Sequence, residues 1–217
     1  MAVQEIRDLL VNTDKSMAER LRQRRWEFVR PMLPELENMK VLDLGGSTDF
    51  WRRAPIRPRH VTIVNLETME CEAPWLEAIT GDACAADQLL VGRQFDLVFS
   101  NSLIEHVGGH SARVALAGVI RTLAPSYLVQ TPYRYFPIEP HWIFPGMQFL
   151  PVPVQRRIAP RWWFGHTRGW SASDALEAVM ATELIGATEM RAYFPDGQLL
   201  WERVLGIPKS MIVIRQS

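Results

Sequence analysis

The chain has 217 residues, 47% of them apolar, with 24 basic and 24 acidic side chains and a formal net charge of zero. That length suits one large domain with a substantial core, and the balanced charge argues against a general nucleic-acid binder, whose affinity would rest on excess positive charge. Cys71 and Cys84 lack CxxC spacing, so neither a disulfide framework nor a cysteine zinc site is suggested, and a reducing, cytoplasmic compartment is expected. No apolar run reaches the ~20 residues of a bilayer span. The acid-bearing start MAVQEIRDLLVN does not read as a secretory signal, so the expectation is a soluble chain without a transmembrane segment.

Residues 16–38 read as a helix broken near Pro31 and Pro34, with the basic run RLRQRRWEFVR at 20–30 as a solvated face. KVLDLGG (40–46) is a short apolar run ending in glycine, a strand and a turn. HVTIVNLE (60–67), AITGDA (78–83) and FDLVFSN (95–101) read as further strands. Helical spacing follows over 111–123, with Ser111 as N-cap and Pro125 beyond its end. SYLVQTP (126–132) is again a strand. Residues 133–170 break this rhythm: they are rich in proline and aromatic side chains and show no period. A helix over 171–185, capped by Ser171 or Ser173, and strands at 187–194 and 210–215 complete the chain.

Strands alternating with helices imply parallel pairing through right-handed crossovers. The expected fold is α/β, a doubly wound, mostly parallel, seven-stranded Rossmann-like sheet in one domain spanning 1–217. Segment 133–170 is too aromatic for disorder and reads as an ordered insertion at the sheet's carboxyl edge, a lid or an acceptor-binding element.

VLDLGGSTDF (41–50) puts an aspartate just before a glycine pair at a strand end, where small residues let a ligand approach the backbone. A dinucleotide fingerprint would need G-x-G-x-x-G, and Ser47 and Phe50 stand at its second and third glycine places. The Gly-Lys-Ser/Thr of a P-loop is absent as well.

The ordered set VLDLGGS, VTIVNLE, GDA, FDLVFSNSLIEHV and TPYRYFPIEPH resembles the motifs of class I S-adenosylmethionine-dependent methyltransferases, in particular the bacterial group described as methyltransferase domain type 11. The resemblance covers roughly 40–145. It implies S-adenosylmethionine as cofactor. Asp43, Gly45 and Gly46 would line its methionine part, Glu67 or Asn65 would take its ribose hydroxyls, Asp82 with Ala83 beside it would meet its adenine, Asn101 would close the site, and Ser47 and Leu66 are further cofactor-binding candidates. The family's turn usually carries more glycine than Ser47 and Asp49 allow, and its second strand usually ends in Asp where this chain has Asn65.

For a hydroxyl acceptor a base is needed, and histidine titrates near neutrality. His60 precedes a strand and reads as structural. His106, after the fourth strand, and His141, in the insertion, are the catalytic candidates; His110 and His166 rank lower. Glu105, His106, Glu139 and His141 also offer ligands for a divalent ion such as magnesium, though no HExxH-type spacing supports a metal site. Tyr133, Arg134, Glu139 and Trp142 are candidates for binding the acceptor, since aromatic faces interleaved with charge suit a saccharide. They equally suit a phenolic or lipid-like molecule, or a lid that packs on itself. Methylation of a saccharide or other small molecule is the leading expectation, with no nucleic-acid partner and a homo-oligomer left open. The alternatives are a phenolic or lipid-like acceptor, or a non-catalytic cofactor binder of the same fold.

Overall fold

A computed structural model describes residues 24–217, which form two compact units. Residues 16–23 of the first expected helix lie outside the described residues. From 24 the chain is helical to 29, and short 3-10 turns follow at Arg30–Met32 and Leu36–Asn38 around the expected proline breaks.

The sheet unit comprises Pro34–Phe136 and Glu183–Ser217. Its seven strands are β1 (Lys40–Leu44), β2 (His60–Asn65), β3 (Leu76–Thr80), β4 (Leu97–Asn101), β5 (Ser126–Pro132), β8 (Gln198–Val204) and β9 (Ile207–Arg215), while Ile138–Glu139 (β6) and Phe144–Pro145 (β7) belong to the other unit. The spatial order is β3-β2-β1-β4-β5-β9-β8. Strands β3 to β5 pair in parallel, and β9 runs antiparallel to both β5 and β8. Val41, Leu42 and Leu44 of β1 are all buried, as a central parallel strand covered on both faces requires. Short helices α1 (Thr48–Arg52) and α2 (Ala86–Leu89) and the long α3 (Gly109–Leu123) connect the early strands. Helix α3 buries Leu116, Ala117, Val119 and Ile120 in the main core.

Three boundaries differ from the sequence reading. Helix α3 begins at Gly109 after Gly108, whose φ of 81° turns the chain, so Ser111 lies inside the helix and does not cap it. The expected strand 187–194 is a helix (Ala187–Tyr193): Glu189 returns its carboxylate to the Gly186 amide at 2.8 Å, and Met190 and Tyr193 face the core. The strand that pairs in its place is β8, whose apolar run Leu199-Leu200-Trp201 lacks strict alternation.

The insertion unit holds the described residues up to Leu33 together with Pro137–Thr182. It contains the β6–β7 hairpin (Ile138–Glu139 and Phe144–Pro145), α4 (Val152–Ile158) and α5 (Ala172–Met180), followed in the sheet unit by α6 (Ala187–Tyr193). Ser171 caps α5 by accepting from the Asp174 amide, as expected. That helix belongs to the insertion unit, which therefore runs past 170. Trp142, Met147, Ala159, Ala175 and Val179 form its small core.

Candidate active site

The strand order reverses beside β1, where β4 rather than β2 continues the sheet, and open α/β sheets hold ligands at such a switch point. Backbone hydrogen bonds tie the carboxyl ends together there. The Gly45 amide donates to Val64 O (2.9 Å), the Gly81 amide to Asn65 O (2.9 Å) and the Ser102 amide to Gln130 O (2.9 Å).

The glycine pair is fixed by two separate demands. Gly45 has φ of 80°, and a Cβ there would also press on Leu103 at 2.7 Å. A Cβ on Gly46 would lie 1.6 Å from Asp43 Oδ2, so only glycine fits beside that carboxylate. Ser47 then caps α1, accepting from the Phe50 amide at 3.3 Å.

Asp43 is wholly buried, and its Oδ2 accepts the Trp51 indole N–H at 2.6 Å. Oδ1 has no hydrogen-bond partner among the described residues. Burial pushes the carboxyl up to about 7, against the opposing hydrogen bond from Trp51. Trp51 was not among the sequence candidates. An eight-residue separation on a short helix carries no signature of a hydrogen bond back to the strand before it.

Asn65 is committed to the protein. Its Nδ2 donates to Gly46 O at 2.8 Å, and its Oδ1 accepts from the Glu67 amide at 3.1 Å. It braces the glycine turn against β2, so both ends of its amide have partners within the protein. Glu67 is exposed, and Leu66 beside it is 76% exposed, an apolar side chain standing open after a strand end. Asp82 is also exposed, with Oδ1 accepting the Cys84 amide at 2.8 Å, and Ala83 is buried behind it. Burial, then the Asp82 charge, pushes the Cys84 thiol up to about 11, so it stays a thiol.

The polar ending of β4 is partly structural. Ser100 Oγ donates to Leu44 O (3.2 Å), and Ser102, at φ of 56°, donates to Gln130 Oε1 (3.0 Å). Asn101 between them is half-buried at the edge. Beyond it Glu105 is buried and accepts from Thr131 Oγ1 (2.9 Å), whereas His106 is exposed. Tyr133 stacks edgewise on Trp201 with ring centroids 4.8 Å apart, and Arg134 is half-buried with its amide bonded to Ile185 O at 3.1 Å.

In the insertion unit, Glu139 is buried and divides its carboxylate between two donors. Oε1 faces His141 Nδ1 at 2.6 Å, and Oε2 accepts the Trp142 amide at 2.8 Å. Trp142 is itself 2% exposed, with its indole N–H on Thr167 Oγ1 at 2.9 Å. Core packing therefore accounts for Trp142, which corrects its candidacy for acceptor contact. Each Glu139 oxygen thus has a partner within the insertion unit. The remaining imidazoles have structural surroundings: His60 lies 3.6 Å from Glu77, His110 2.9 Å from the Tyr193 hydroxyl, and His166 3.0 Å from the His141 carbonyl.

No protein-family model and no curated protein sequence matches the chain. Solved structures do. A SAM-dependent methyltransferase from Archaeoglobus fulgidus aligns over 89% of this chain and 93% of its own, at 12% identity and a TM-score of 0.53. A cyclopropane-fatty-acyl-phospholipid synthase-like protein from Lactobacillus casei covers 98% and 97%, at 10% identity and 0.57. The structure described as a DhpI–SAH complex covers 99% and 94%, at 12% identity and 0.56. At such identities the likeness is one of fold: the chain shares its Rossmann-like α/β sheet with these structures.

Proposed function

We propose that the chain is an S-adenosylmethionine-dependent methyltransferase that methylates a hydroxyl of a saccharide or other small molecule. The observation that carries the cofactor reading is the β1–β2 edge. There a glycine pair that tolerates no Cβ fronts a buried carboxylate with one unpartnered oxygen, next to the exposed Leu66 and Glu67. The residues fit the group: Asp43, Gly45, Gly46 and Ser47 for the methionine portion, Glu67 for the ribose hydroxyls, Leu66, Asp82 and Ala83 for adenine, and Asn101 at the β4 end. A solved neighbour of the same fold is described as a complex with SAH. When bound, S-adenosylmethionine supplies an electrophilic methyl on a sulfonium.

The hydroxyl reading rests on the Glu139–His141 pair. A carboxylate only accepts, so Glu139 takes the Nδ1 hydrogen at 2.6 Å and orients the ring, with Nε2 as the atom that would take the alcohol proton. An imidazole so oriented is a general base for an alcohol proton. His106 is the second candidate for the same task. Tyr133 and Arg134 are the side chains offered to the acceptor.

Glu139→Gln tests the pair. The Trp142 amide can only donate, so it claims the Gln oxygen and turns the amide NH2 toward His141 Nδ1. The imidazole is then held with its proton on Nε2. Methyl transfer to the best acceptor from a sugar, phenol and lipid screen should fall ~10²–10⁴-fold in Glu139→Gln and His141→Ala, with cofactor affinity kept. Normal turnover in both, with loss in His106→Ala, would move the base to His106. Normal turnover in all three would remove the general base. Parallel assays with magnesium and with chelator decide whether a divalent ion takes part.

A further inference from the structure

A charge asymmetry in the insertion unit lies outside the methyl-transfer reading. From residue 140 to 173 there is no acidic side chain, yet Arg156, Arg157, Arg161 and Arg168 all fall there, in a chain whose net charge is zero. All four are exposed, and none forms an ion pair among the described residues. Exposed apolar side chains lie in the same segment: Val152 (39%), Val154 (36%), Trp163 (54%) and Trp170 (47%).

The segment is tied together. The Arg161 and Trp162 amides donate to Ile158 O at 2.9 Å, joining the loop to the end of α4, and the Gly169 amide closes it on Pro160 O at 3.0 Å. Arg168 lies over the Trp163 ring, 4.4 Å from its centroid.

We propose that residues 152–170 form a docking surface for an anionic lipid bilayer. Tryptophan favours the headgroup boundary, where its ring meets acyl chains and its N–H meets water. Arginine adds attraction to anionic headgroups, and short amphipathic elements with this mixture lie in the interface plane. Nucleic acid would satisfy the arginines but gives exposed valines nothing to bury against. Lipid satisfies both. No described helix is long and apolar enough to cross a membrane, so the contact would be peripheral.

Flotation of the full chain with vesicles tests this independently of any methylation assay. The chain should float with phosphatidylcholine vesicles containing phosphatidylglycerol and stay behind with phosphatidylcholine alone. Added salt should weaken the binding. Arg156→Gln and Arg157→Gln should each weaken it roughly fivefold. Trp163→Ser should weaken it too, and circular dichroism should show both kinds of variant folded. Absence of flotation with the anionic vesicles overturns the proposal. So does binding that Trp163→Ser leaves intact while a short RNA competes it away, since the surface would then be a nucleic-acid site.

Discussion

At the scale of single residues, the Asp43 carboxylate faces conflicting demands. It must stay close to the Gly46 backbone, it accepts from Trp51, and it is cut off from water. Its folded-state value near 7 exceeds the ordinary 3.8, so the folded chain holds this proton more tightly than the unfolded chain does. The resulting stability is fully present below about pH 4 and is lost as pH rises through about 7. Asp43→Asn keeps an acceptor for Trp51 and cannot ionise. Urea unfolding across pH 4 to 8 should therefore show a decline in the wild-type chain that the variant lacks, on the order of a few kcal/mol. Parallel curves for the two proteins would mean that Asp43 ionises freely in the fold.

At the scale of elements, strands β1, β2, β4 and β5 were legible because buried parallel strands are continuous apolar runs stopped by glycine or polar groups. The 187–193 segment was misread because its helix is specified by a cap rather than a period: Glu189 reaches back to the Gly186 amide at 2.8 Å, a link that glycine hides at the N-cap place. Glu189→Ala should cost about 1 kcal/mol in urea unfolding. No change would assign the helix to Met190 and Tyr193 packing alone. Gly45 and Gly46 were legible from a local motif, a glycine turn closing a strand, and each is a position where a Cβ meets its neighbours. The candidate site was not legible where side chains reach across elements: Trp51 takes Asp43, Asn65 takes the Gly46 carbonyl and Thr167 takes the Trp142 indole. Those contacts commit the Asn65 amide and the Trp142 indole to partners within the protein.

For the whole molecule, the proposed function rests first on the sheet unit, whose β1–β2 edge would hold the cofactor. The most direct measurement is calorimetric titration of the full chain with S-adenosylhomocysteine. The expected result is saturable 1:1 binding, weakened roughly tenfold or more by Glu67→Ala, an exposed position whose loss leaves the core intact. Gly45→Val, which places a branched side chain at a φ of 80° and against Leu103, should abolish it. Absence of binding by the wild-type chain, or unchanged affinity in both variants, would contradict a cofactor site at the β1–β2 edge.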